Sequence, residues 1–297
     1  MSTIPVRPVV VGFDGSRAGR AAAEWAAHEA LLRQVPLRLV HAWEQPIVPH
    51  APLAGVTVPS DPKRSARLLT DARVHLSRRH PGLEVITDRL PGDPAAALAA
   101  AGADGEMLVL GSHGLGRTAG FLLGSMARAV VARAQGPVVL VRAAGTGTSQ
   151  GGGHKPVTGG DTGGVVVVGV DLDGPDDAVL VFAFEAAARR GAALRVVHGR
   201  GSADESADGP DLAETDSVTA PLGEVLRPWQ EKFPGVPVTA QAVIGQAGTH
   251  LVDASRDAVL LVVGQTIRQG TLGTHIGPVT DTVLRHATPP VAVIPHT

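Results

Sequence analysis

Within residues 107–130, MLVLGSHGLGRTAGFLLGSMARAV, three glycines and a serine fall at a fixed spacing: Gly111, two residues, Gly114, nine residues, then Gly124-Ser125. Glycine lets a backbone come close to an anion without a Cβ in the way, and the first amides of a helix present unpaired N–H groups to it. The chemistry that this spacing can serve is phosphate binding. The plainer reading is a strand-to-helix turn that uses glycine only for its shape. Asp14 follows an early apolar run and can accept from a ribose hydroxyl or an adenine amine, or cap the next helix. Ser125 can donate to a phosphate or cap its own helix. His113 and Arg117 can neutralise phosphate charge or simply be solvated. His41 and His198 each stand alone at a strand end and read as structural or crevice-lining, and Glu24 and His28 share a helical face without further ligands, which favours surface over a metal site.

These residues need elements to position them. Val9 to Gly12 reads as a short buried strand, Ala18 to Arg33 as an alanine-rich helix and Leu37 to Trp43 as a second strand. Pro46 to Pro62 reads as a loop, Ser65 to Arg79 as a helix, Leu83 to Leu90 as a third strand, and Pro94 to Ala103 as a short helix with proline in its first turn. A fourth strand then leads into the glycine loop and its helix, and Pro137 to Arg142 makes a fifth strand. Strands alternating with helices, and apolar on both faces, predict a parallel sheet covered on both sides. Ligands of such sheets bind beyond the carboxyl ends of the strands, at a switch point, where Asp14, His41 and the Gly111 loop converge.

After residues 144–164, AGTGTSQGGGHKPVTGGDTGG, which read as a flexible linker, the pattern begins again. Gly169, Asp171 and His198 each lie 157 positions after Gly12, Asp14 and His41; Gly245, Gly264, Gly277 and Pro290 lie 153 after Gly92, Gly111, Gly124 and Pro137. One offset that changes once marks a tandem duplication, with units at 1–143 and 165–297. A length of 297 residues suits two units of about 150. With 44% hydrophobic and 18% charged residues the chain is globular. Aromatics at 3% and no tyrosine leave little for stacking single-stranded nucleic acid, and a net charge of −2 gives no basic footprint and implies no electrostatic partner. Cysteine is absent, which excludes disulfides and thiolate sites. No apolar run approaches the roughly 18 residues of a membrane span, and the first residues do not form a signal peptide, so a cytoplasmic protein away from membranes is expected.

Gly111-x2-Gly114-x9-Gly124-Ser125, with VVVGFDGS at the first strand, LRLVHAW at the second and PVVLVR at the fifth, resembles the ATP-binding universal stress proteins. The resemblance covers Pro8 to Arg142 and Val165 to Pro295. It implies two tandem α/β domains, each a doubly wound five-stranded parallel sheet of the adenine nucleotide alpha hydrolase-like, Rossmann-like kind. By similarity, Gly12, Asp14 and the backbone of Val40 would face the adenosine. Gly111, Ser112, His113, Gly114 and Arg117 would wrap the phosphates, and Gly124, Ser125 and Met126 would complete the site. The implied cofactor is ATP, with Mg2+ as an allowed companion; no catalytic residue is assigned. The resemblance further implies an internal pseudo-dimer, pairing the PVVLVR and PVAVIP edges, and leaves a homodimer open. A loose GxGxxG/A match at Gly114 to Ala119 follows the wrong strand and has no acidic residue before Asp161, and there is no Walker A sequence.

In the second unit Gly264 and Gly277 remain, but Gly114 is matched by Ile267 and Ser125 by Pro278. Proline lacks the N–H as well as the hydroxyl, so this half is expected to hold nucleotide weakly or not at all. The copy keeps the turn without Gly114 and Ser125, which shifts the weight in the first unit from plain turn to phosphate site. The functional expectation is a non-enzymatic regulatory stress-response module. The alternatives are a slow ATP hydrolase or nucleotidyl enzyme, and an interaction scaffold with incidental nucleotide.

Overall fold

A computed structural model describes residues 6–43, 62–112, 123–143, 163–172, 174, 176–200, 213–266 and 276–296. The expected linker up to residue 162, and His113, Gly114, Arg117 and Ile267, lie outside them. The first half runs β1 (Val9–Gly12), α1 (Arg17–Arg33), β2 (Leu37–Trp43), α2 (Pro62–Arg79), β3 (Val85–Pro91), α3 (Pro94–Ala103), β4 (Met107–Gly111), α4 (Ser125–Arg133) and β5 (Val138–Val141). The second repeats it as β6 (Val165–Val170), α5 (Asp177–Arg190), β7 (Ala193–Arg200), α6 (Ala213–Lys232), β8 (Val238–Ile244), α7 (Ala247–Ala254), β9 (Ala258–Thr266), α8 (Pro278–His286) and β10 (Val291–His296).

Among the described residues, ten strands join one sheet in the order β3-β2-β1-β4-β5-β10-β9-β6-β7-β8. Each half is parallel and the halves meet through the antiparallel pair β5–β10, with Val138, Val139 and Leu140 opposite Val293, Ala292 and Val291. This is the pairing of the two apolar edges read from sequence, and it hides two ladders that would otherwise be open for aggregation. The central strands are valine-rich and buried on both faces, as parallel strands are. β3 is not: as an edge strand, VITDRLP is half exposed and carries Asp88 and Arg89, so the expectation of strands apolar on both faces fails there. α2 begins at Pro62, because proline suits a first helical turn, rather than after a loop ending there. β3 begins at Val85 rather than Leu83, since Gly82 turns the chain at φ +89°.

Helices cover both faces. One core holds Trp25, Leu69, Leu76, Phe184, Leu222 and Leu226 from α1, α2, α5 and α6; the other holds Leu98, Val130, Leu251 and Val283 from α3, α4, α7 and α8. α1 presents Ala22, Ala23, Ala26, Ala27 and Ala30, small enough to seat the helix close on the sheet. Across the boundary between halves, Arg190 bonds Glu29 and lies 5.9 Å from the centre of the Trp25 ring, while Arg33 lies 5.6 Å from that of Phe182. Arg33 and Arg190 are equivalent positions of the repeat, as are Trp25 and Phe182, so the contact is reciprocal. Arg128 of α4 likewise meets Asp281, its own equivalent on α8, at 2.7 Å.

Candidate functional site

β1 has β2 on one side and β4 on the other. The connections therefore leave in opposite directions, and a crevice opens beyond the carboxyl ends of β1 and β4. Two bonds to β2 fix the turn after β1. Phe13 N donates to the Val40 carbonyl at 2.8 Å, so that carbonyl already has one partner. His41 Nδ1 donates to Phe13 O at 2.7 Å; a carbonyl only accepts, so the proton sits on Nδ1. His198 makes the same bond to Val170 O at 2.9 Å in the second half, which marks this histidine as a structural support of the turn.

Asp14 sits where the turn meets α1. Its Oδ1 accepts from Ser16 N at 2.9 Å, and Ser16, as N-cap, accepts from Gly19 N at 2.9 Å. Ser16 is thus the helix cap, and Asp14 orders the cap through one oxygen. Both Asp14 and Gly111 press on Gly19. A Cβ on Gly19 would collide with Asp14 Oδ1, and a Cβ on Gly111 would come within 2.9 Å of Gly19 N. The absent side chain of Gly111 therefore faces α1 rather than open space, and Gly12 similarly clears room for Leu98 and Leu110. Gly169 repeats the approach of Gly12 against Leu251, while a Cβ on Gly264 would meet His296 first and the Val179 side chain at 3.2 Å. Gly12 and Gly111 are packing requirements of the fold, which is why the copy retains them.

The strand leads into Ser112, 2% exposed, whose N–H donates to Val141 O. Gly124 N then donates to Ser112 O at 2.9 Å, so the ends of the glycine loop are pinned to each other by one backbone bond. This brings Ser112, Gly124 and Ser125 to the carboxyl edge that also carries Gly12, Asp14 and Val40. Gly124 is the N-cap of α4 and no side chain caps the helix; Ser125 is the first helical residue and is exposed, and Met126 is 42% exposed. The alternative in which Ser125 caps its own helix is not realised.

The second half shares the frame but not this edge. Pro278 stands first in α8. The helix start is tied down by Thr280 Oγ1 donating to Gly264 O at 2.9 Å, where the equivalent Ala127 has no hydroxyl. α5 starts at Asp177, the equivalent of Arg20, so it lacks the first turn that α1 offers. β10 runs two residues further than β5, pairing Pro295 with Gln265 and His296 with Thr266. The His296 ring lies against Gly264, and its Nδ1 is 3.4 Å from Asp176 Oδ2, while Asp176 Oδ1 caps α5. His296 thereby lies between Gly264 and the start of α5, on the side where α1 has its extra turn in the first half. Sequence reading missed this arrangement; its signal was Asp176, a capping residue standing where the first half has Gly19.

Glu24 is also more engaged than a surface reading implies. It receives His75 Nε2 at 3.0 Å, His80 Nε2 at 2.9 Å and Arg79 Nε at 3.2 Å, and so clasps α2 to α1. No cluster suited to a metal ion occurs among the described residues, and no described helix is long and apolar enough to cross a membrane. An open groove lined by Trp43, Leu69, Thr87 and Asp88 lies at the outer edge under α2 and shares no residue with the crevice.

The profile of the universal stress protein family matches this chain twice, over residues 5–142 and 164–295. The universal stress protein Rv2623 of Mycobacterium tuberculosis is 32% identical over 292 residues, covering 96% of this chain and 95% of that one. Among solved structures, a universal stress protein from Archaeoglobus fulgidus superposes with a TM-score of 0.68 at 17% identity, covering 98% of this chain and 96% of that chain, which is a likeness of fold. A shorter one from the same organism, solved in complex with dAMP, matches 46% of this chain with a TM-score of 0.33, which supports no transfer of its ligand.

Proposed function

The chain belongs to the universal stress protein family, and on that premise we propose that it holds one ATP in the first half, residues 1–143, and acts as a regulatory stress-response module that responds to this nucleotide. Residues 165–297 are the structural partner with a degenerate site. The contrast between two helix starts carries the reading. α4 begins with an exposed serine and no side-chain cap, beside a loop pinned at both ends; α8 begins with proline and is tied to its strand by Thr280. An uncapped helix start leaves amide donors for an anion, and proline removes one of them. His113, Gly114 and Arg117 belong to the same loop in sequence, and Asp14 keeps a carboxylate at the facing edge for the nucleoside.

Titration calorimetry and native mass spectrometry with ATP test this. The expected result is one nucleotide per chain, with Ser125→Pro weakening binding at least about tenfold, the loss of a charge-assisted hydrogen bond and a donor together. The reverse change, Pro278→Ser, leaves the stoichiometry at one because His296 and Thr280 still close the second edge. Two tight nucleotides per chain, or an unchanged affinity in Ser125→Pro, would sink the reading. A time course of ADP release addresses turnover: repeated turnovers lost in Asp14→Ala would make the protein an enzyme instead.

A further inference from the structure

β3 is the outer strand of the first half and pairs only with β2 among the described residues. Its two backbone sides are distinguishable. Leu37 N donates to Glu84 O at 2.9 Å and Gly92 N donates to Trp43 O at 3.2 Å, so the even-numbered residues face β2. Val85, Thr87 and Arg89 therefore turn their N–H and C=O groups away from the sheet. Asp88 Oδ1 covers the Arg89 N–H at 2.8 Å, and Asp88 Oδ2 takes Arg38 Nη2 at 2.6 Å. Val85 and Thr87 remain as a short ladder edge to which an extended chain can pair.

Beside this edge, on the α2 side, lies the open groove of about 420 Å³, with Trp43, Ala66 and Leu69 as its apolar floor and Thr70 and Thr87 at its sides. Ala66, Thr70 and Arg73, at i, i+4 and i+7, share the stripe of α2 that borders it. The short connection from Arg79 to Val85 sets α2 antiparallel to β3. Arg73 therefore stands towards the Val85 end of the groove, and Arg89 lines the other end; both are exposed. The lining acid, Asp88, is already neutralised by Arg38. On the opposite face of the same edge Ile86 is 43% exposed. The copy keeps the buried leucine, Leu222 for Leu69, but has Leu226 for Arg73, Gln241 for Asp88 and Ala242 for Arg89, so the sheet itself needs none of these charges. In an added strand, residues i, i+2 and i+4 share a face and span about 13 Å. An apolar side chain seated in the groove thus has its neighbours on that face beside Arg73 and Arg89. We propose that β3 and this groove bind an acidic extended segment of another protein by strand addition, with main-chain bonds to Val85 and Thr87, an apolar side chain on Trp43 and Leu69, and carboxylates at Arg73 and Arg89. Another copy's β3 fits poorly, because it brings a second Arg89 to a rim that is already cationic. The surface is separate from the nucleotide crevice and does not depend on it.

Calorimetry and amide NMR spectra of the full chain test this with two probes. One is a capped heptapeptide of threonine with leucine at its centre and glutamate two positions to either side; the other has lysine in place of the glutamates. The expected result is binding of the glutamate peptide with shifts at the amides of Val85 and Thr87, and at least about tenfold weaker binding of the lysine peptide. Arg73→Glu with Arg89→Glu reverses that preference, which a misfolded chain would not do. Thr87→Pro removes an outward N–H without touching the pairing to β2 and abolishes binding of either peptide. No binding at about 1 mM peptide, equal affinity for the two peptides, or an unreversed preference in the double variant would overturn the proposal. So would sedimentation showing that the edge is instead covered by a second copy, as a dimer lost in Thr87→Pro.

Discussion

Asp14 illustrates how far single residues were legible. Its position after the first strand placed it at the crevice, but the sequence left open whether it binds ligand or caps α1. Cap competition is decided by backbone angles, which no spacing encodes. Ser16 caps, and Asp14 holds Ser16 N with one oxygen. Gly111 was legible as necessary but for another reason, since what its missing Cβ admits is α1 rather than an anion. That separates the signature into Gly12 and Gly111, which the fold needs, and Gly114 and Ser125, which the copy discards. The same comparison exposes a strained residue. Gln34 ends α1 at φ +57°, whereas the equivalent Gly191 ends α5 at φ +59°. A left-handed conformation costs a side chain about 1 kcal/mol. Gln34→Gly is expected to raise stability by about 0.5–1 kcal/mol, read from urea unfolding, and Gly191→Ala to lower it similarly.

At the scale of elements, the alternation of strands and helices follows from periodicity, while the contact between α1 and α5 was not read. Its signal was present, because Trp25, Arg33, Phe182 and Arg190 obey the repeat offset. What no local pattern shows is that a buried Glu29, 1% exposed, bonds both arginines. Burial alone would raise the Glu29 carboxyl, but Arg190 and Arg33 outweigh it and hold it below the ordinary range. His28 beside it is also lowered, chiefly by burial and then by Arg190. Both shifts mean that the folded chain binds protons more weakly than the unfolded one, so stability falls as pH falls. The His28 contribution is lost as pH drops below about 6.5 and that of Glu29 as it drops further, below about 4.3. Glu29→Gln leaves the buried Arg190 guanidinium without a counter-charge, while Arg33 keeps Glu106 at 2.9 Å, and is expected to cost about 3 kcal/mol at neutral pH. In denaturant titrations from pH 7 to pH 3 it should also flatten the lower limb of the profile.

At the scale of the molecule, the duplication and the β5–β10 seam were legible because matching apolar edges demand partners. The extended β10 and the place of His296 beside α5 were not, since they depend on where α5 begins. A sheet that runs unbroken through ten strands should melt as one unit. Calorimetry is expected to give a single transition, and Ala292→Asp, which buries a charge opposite Val139 at the seam, should lower it and split it into two. The reciprocal arginines carry a consequence for descent. Glu29 stands where the copy has Ala186, so one carboxylate now serves both halves. A chain built from two second halves would bring two buried guanidiniums together with nothing between them. Neither half can stand in for the other, because only the first supplies the carboxylate that both arginines need.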